Sequence, residues 1–208
     1  MRKRLAGLVL ALTVWSASGA AAQVAWDSPM LLPPRPANGF GLYLMEAAFG
    51  DLGVMATWRG TRSFGLRFGL AEQDFDNDLA VFGGVDFSGT LARASADFPL
   101  DASWVVGVGL SAENNVLLSF PFGVTLGRTL PAEGATFTPY GTPRLMVDAC
   151  LGDDDDFPGR RGCFGNDDLD LDFAIDLGVD VALRQGWTIR FGITLGGDRD
   201  ALAIGILF

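Results

Sequence analysis

The chain has 208 residues, with 15 Lys plus Arg against 25 Asp plus Glu, no histidine and a formal charge of −10 at pH 7. So acidic a chain lacks the basic surface that nucleic acid requires. Without histidine it can build neither a Ser-His-Asp triad nor a histidine general base, and no pair of carboxylates stands out by spacing, so the chain is expected not to be an enzyme and to need no cofactor.

Residues 1–22 follow the secretory pattern: Arg2, Lys3 and Arg4, the apolar stretch Leu5 to Val14, then small residues with an A-x-A site at Ala20 and Ala22. The apolar stretch is short for a spanning helix of about 20 residues. Cleavage before Gln23 is therefore expected, and loss of the three basic residues takes the formal charge from −10 to −13. Residues 23–38 contain Pro29, Pro33, Pro34 and Pro36, too many prolines for a regular element, and are expected as an extended periplasmic leader into the first strand.

From residue 39 to residue 208 the dominant period is two. Large apolar residues at Leu169, Leu171, Phe173, Ile175, Leu177, Val179, Val181 and Leu183 alternate with Asp170, Asp172, Ala174, Asp176, Gly178, Asp180 and Ala182. That spacing puts the apolar set on one face of a strand and the carboxylates on the other. The same alternation predicts about ten strands, at 39–49, 52–60, 62–71, 79–91, 101–112, 115–127, 136–149, 168–183, 186–196 and 200–208; eight or twelve also fit the pattern. Glu46 breaks the parity of Phe40, Leu42 and Leu44, and Pro139 and Pro143 predict an irregular ladder in the seventh strand.

The longest connection, 150–167, carries Cys150 and Cys163. In an oxidising compartment these are expected to pair, stabilising the loop by about 3 kcal/mol in the loop-entropy account, with two free thiols as the alternative. Asp153 to Asp156, with Asp167 and Asp168, offer hard oxygen ligands for Ca²⁺ but lack EF-hand spacing, so a solvated loop is the preferred reading and no metal site is assigned.

Alternation alone also suits a soluble sandwich or lipocalin-like barrel. Three features favour a transmembrane barrel instead. The second face is rich in Gly, Ser, Thr and Ala, and the last strand is apolar to Phe208. Trp58, Phe64, Trp104, Trp187 and Phe208 all fall beside turns that a ten-strand topology places on the periplasmic side, as an aromatic girdle would. In hydrocarbon only a closed sheet satisfies every strand edge. The expected fold is thus all-β, a closed antiparallel up-and-down transmembrane β-barrel over 39–208, monomeric and set in outer-membrane lipid.

Inward parity falls on Arg59, Arg67, Asp86, Arg144, Asp148, Asp170, Asp172, Asp176, Asp180 and Arg190. Inward carboxylates on one strand lie about 6.7 Å apart, so their partners are expected from neighbouring strands, Arg190 near Asp180 or Ala182 and Arg144 from the opposite side. Two readings follow: an ion-pair network that plugs the barrel, or a narrow, cation-preferring passive pore. A soluble periplasmic barrel holding an apolar ligand is the alternative from another class.

The signal, the alternating strands and the terminal Ala201-Leu202-Ala203-Ile204-Gly205-Ile206-Leu207-Phe208 resemble the small bacterial outer-membrane β-barrel superfamily, the OmpA-like and OmpX-like barrels. The resemblance covers nearly all of the chain beyond the signal in pattern. It implies that the terminal aromatic strand is read by the barrel-assembly machinery, a transient partner, and leaves the function among anchors, channels, adhesins and enzymes.

Overall fold

A computed structural model describes residues 28–46, 52–73, 78–112, 116–151, 169–196 and 200–208. The signal, Cys163 and hence the expected disulfide with Cys150, and the acidic stretch 153–156 lie outside the described residues. Eleven strands follow in chain order: β1 (Gly39–Glu46), β2 (Leu52–Thr61), β3 (Phe64–Gln73), β4 (Asp78–Ala92), β5 (Asp101–Ala112), β6 (Val116–Gly127), β7 (Leu130–Ala132), β8 (Ala135–Leu151), β9 (Leu169–Leu183), β10 (Thr188–Leu195) and β11 (Ala201–Leu207).

Each barrel strand pairs antiparallel with its sequence neighbours, β6 pairs with β8, and β1 pairs with β11, so ten strands close on themselves. Phe40 and Phe208 exchange backbone hydrogen bonds of 2.8 and 2.9 Å at the seam. Closure removes the exposed edge that a sheet otherwise offers to other chains. The exposed strand β7 pairs only with the first residues of β8, Leu130↔Phe137 to Ala132↔Ala135, and extends that hairpin outside the ring. Its turn uses Gly134 at φ +84°, as the β9–β10 turn uses Gly186 at φ +89°, a region open to glycine at little cost.

The connections 62–63, 93–100, 128–134 and 184–187 gather at one end of the barrel, with Gly39 and Phe208; this is the turn end. The strand ends at Glu46, Leu52, Gln73, Asp78, Ala112, Val116, Leu151, Leu169, Leu195 and Ala201 gather at the other, the loop end.

Prolines mark the ladder where the sequence predicts irregularity. The β8–β9 ladder runs unbroken through Pro139 and Pro143. The β6–β8 ladder breaks between Gly123↔Arg144 and Leu126↔Gly141, the stretch that holds Pro143, which has no N–H to give. Thr125 Oγ1 and Thr142 Oγ1, 2.8 Å apart and buried, bridge the break with a side-chain hydrogen bond. Glu46 faces outward at the loop end of β1, so it closes the apolar face of that strand rather than shifting its parity.

The two faces are sharply divided. Large apolar side chains are exposed on every one of the ten barrel strands, among them Leu44, Phe68, Val81, Phe122, Leu145, Phe173, Ile193 and Ile204. Among the described outward-facing strand positions the charged ones are Glu46 and Glu72, both next to the loop end. Asp176, by contrast, is 1% exposed and Arg144 likewise 1%.

The interior also contains a guest. Residues Ser28 to Pro34 and Pro36 are buried, although they form no strand. Met30, Leu31 and Leu32 pack with Tyr43, Met45, Met55 and other wall residues into one apolar cluster inside the ring. The sequence reading has 23–38 as an extended leader into the first strand; of its described part, residues 28–34 and Pro36 lie inside the ring, while Arg35, Ala37 and Asn38 are exposed. The physical reason is visible in the residues. The apolar run Met30-Leu31-Leu32 gains by leaving water, about 1.5–3 kcal/mol for each fully buried side chain. Pro29, Pro33, Pro34 and Pro36 carry no N–H, so burying them leaves no donor to satisfy.

Candidate functional site in the barrel interior

The expected lumen charges come from inward positions on β2, β3, β4, β8, β9 and β10. Arg59 on β2 and Asp86 on β4 form a buried ion pair although β3 lies between them. They can meet because the residue in register with both is Gly65. A Cβ on Gly65 would sit 2.6 Å from Asp86 Oδ2 and 2.9 Å from Arg59 Cζ. Gly65→Ala is therefore expected to force the pair apart and cost about 1–3 kcal/mol, the usual range for overpacking, measurable as a lowered urea midpoint of the refolded barrel.

Arg190 and Asp180 face each other in register across β9 and β10. Arg190 Nε and Nη2 donate to the two Asp180 oxygens, each at 2.6 Å, a bidentate pair. Nη1 donates at 2.5 Å to the Leu31 carbonyl and lies 3.3 Å from the Tyr43 hydroxyl. Arg144 Nε meets Asp176 Oδ2 at 2.9 Å. Asp176 in turn accepts from Thr194 Oγ1 at 2.7 Å and from the Met30 amide at 3.2 Å. Arg67 Nη2 donates to the Met30 carbonyl at 2.8 Å, and Arg144 Nη2 reaches the Ser28 carbonyl at 3.5 Å. Asp148 is fully buried on β8, in register with Ser119.

The inward charges thus separate into two groups. Arg59, Arg67, Asp86, Arg144, Asp148, Asp176, Asp180 and Arg190 are buried in the lumen, and Asp101 at the start of β5, absent from the sequence reading, is buried with them, which makes four arginines and five carboxylates. Asp170 is exposed and Asp172 half-buried on the loop-end half of β9, and Asp170 stands in register with Asp148. What the spacing of the sequence does not reveal is the use of the arginines. Arg67, Arg144 and Arg190 turn toward backbone carbonyls of residues 28–31, and a guanidinium, with five donors and no acceptor, is the side chain best fitted to serve a proline-rich segment whose unmatched groups are acceptors.

Leu31 has φ +54°, a left-handed conformation that costs a leucine roughly 1–2 kcal/mol. Such a residue persists where its surroundings hold it; here Arg190 takes its carbonyl and Gly192 faces its side chain.

At the turn end the outer surface carries a tier of rings. Trp187 lies 6.3 Å from Phe208, Phe208 5.6 Å from Phe40, Trp58 6.3 Å from Phe64, and Phe64 5.5 Å from Phe87. Phe40 and Trp58 are cross-strand partners, which joins the two sets. Trp104 covers Gly89 one strand further on, where a Cβ would run into its indole ring. Phe40 and Phe87 extend the group expected from the sequence. Both follow the outward parity of their strands, and only the register reveals that they touch their neighbours.

Fold and interior together define a closed ten-stranded antiparallel up-and-down β-barrel with an apolar outside, an ion-paired inside and its own N-terminal segment seated in the lumen. Protein-family models give no match to the chain, and neither do curated proteins.

Proposed function

We propose that the chain spans a bacterial outer membrane as a monomeric barrel that is closed at rest, sealed by residues 28–36 and the buried ion pairs. The observation that carries this reading is the division of the two faces, apolar side chains exposed on all ten strands while nine charged residues lie buried within. In water such an exterior would be a large unprotected apolar surface; against acyl chains it is the favourable arrangement. Strand length agrees. A ten-residue strand such as β2 rises about 33 Å, which at a tilt of about 40° covers about 25 Å, the height of the apolar band of such barrels. The ring tier at the turn end suits the headgroup level, where amphipathic aromatics concentrate. In this reading the β1–β11 seam ending at Phe208 is what the barrel-assembly machinery engages.

The alternative, a soluble barrel around an apolar ligand, requires the opposite faces and an interior space of about 300 Å³ or more. The cavity between the N-terminal segment and the wall at Arg59, Arg67 and Asp86 is about 30 Å³.

Fractionation tests the membrane reading. The protein is expected in the outer-membrane fraction, with a gel band that shifts on boiling. Its tryptophan fluorescence should be quenched most by lipids brominated near the headgroup, since Trp58, Trp104 and Trp187 lie in the ring tier. A monomer released in soluble form after export would overturn the reading.

A further inference from the structure

The seat of residues 28–36 has the features of a binding site. The hydrogen bonds described between this segment and the barrel run to side chains of the wall, with none from a strand ladder. Arg144, Arg67 and Arg190 donate to the carbonyls of Ser28, Met30 and Leu31, and Asp176 accepts from the Met30 amide, so the wall reads peptide backbone of both polarities. The wall is also shaped to its occupant. A Cβ on Gly192 would lie 2.6 Å from Leu31 Cδ2 and 3.1 Å from Pro29 Cβ. Glycine at this place leaves room for a leucine and a proline. Outside this seat, Arg35 pairs with Asp101 at 2.5 Å, and Ala37 and Asn38 are exposed before β1 begins.

We infer that the lumen is a peptide-binding site for an extended, proline-interrupted apolar segment, and that residues 28–36 occupy it in cis as an exchangeable ligand. The tether supplies the segment at an effective concentration in the millimolar range for a short linker, so the cis ligand holds the site at rest and a free peptide of the same chemistry takes it only when the tether is cut. The inference does not depend on where the barrel resides: it stands or falls on exchange, and the membrane reading on fractionation.

The test places a protease site between Ala37 and Asn38 of the full chain, folds the protein, confirms the heat-shifted band, and then cuts. The probe is a synthetic peptide of residues 28–37 with an N-terminal fluorophore. The severed segment is expected to travel with the barrel through size exclusion in detergent and to be replaced saturably by excess labelled peptide. Gly192→Val in the barrel is expected to weaken capture of the probe about tenfold, the equivalent of a modest steric clash. Loss of the severed segment with no capture of the probe would show that the tether alone holds it, and retention without exchange would make it part of the core; either result overturns the inference. If the inserted site prevents folding, hydrogen exchange on the unaltered chain decides. Amides of Met30, Leu31 and Leu32 that open as a unit separate from the strands support exchange, and opening only with global unfolding overturns it.

Discussion

Arg190→Met lowers the unfolding free energy of the barrel by about 3–5 kcal/mol, the range expected when one member of a buried ion pair is removed and the other keeps its charge. Asp180 would be left inside the wall with its side chain 12% exposed, without the two 2.6 Å bonds that satisfy it. The Leu31 carbonyl and the Tyr43 hydroxyl lose a donor in the same step. The measurement is urea unfolding in lipid vesicles, followed by tryptophan fluorescence and by the gel shift. The double variant Arg190→Met/Asp180→Leu should recover most of the loss, because replacing both members of a buried pair by apolar groups is often neutral. A loss under about 1 kcal/mol for the single variant, the size seen for solvated pairs, would show that water reaches this part of the lumen.

Deletion of residues 28–36 turns a silent planar bilayer into one with resolved conductance steps. The ring of ten strands keeps every ladder without this segment, so the deletion removes the guest and leaves the wall. A preference for cations is expected, since the deletion takes Arg35 from Asp101 and leaves Arg59, Arg67, Arg144 and Arg190 against Asp86, Asp101, Asp148, Asp176 and Asp180. Its sources are Asp101 at the turn end and Asp170 and Asp172 at the loop-end mouth, and Asp101→Asn/Asp170→Asn/Asp172→Asn should remove it. A deleted barrel that still shows the heat-shifted band yet stays silent would mean that the ion pairs close the lumen unaided.

Much of the fold is legible in the order of residues because a strand has a period of two and a one-residue slip would exchange the faces. The alternation over 169–183 alone identifies which side chains face out, and Phe191, Ile193 and Leu195 are exposed while Asp176 and Arg190 are buried. Arg190 and Asp180 can be matched by folding the chain back across a short turn, since local hairpin geometry determines their register. The Arg59–Asp86 pair is different. It needs two ladders in register at once and a glycine between them, and no single hairpin contains all three residues.

The seat of residues 28–36 is harder still to read in advance. Prolines announce only that no regular element forms there; they do not say whether the segment lies in water or in a cavity lined with donors. That depends on Ser28 meeting Arg144, Met30 meeting Arg67 and Asp176, and Leu31 meeting Arg190, contacts between positions 37 to 159 residues apart.

By itself, then, the order of residues determined the strands, their faces and the charges that turn inward, because side-chain alternation is a local property of an extended backbone. Only the tertiary structure decided that the ring closes with ten strands, that arginines serve peptide carbonyls, and that the chain fills its own lumen. Those depend on which distant groups are brought together when the sheet curls shut, and a buried carbonyl finds its donor wherever the closed wall happens to present one.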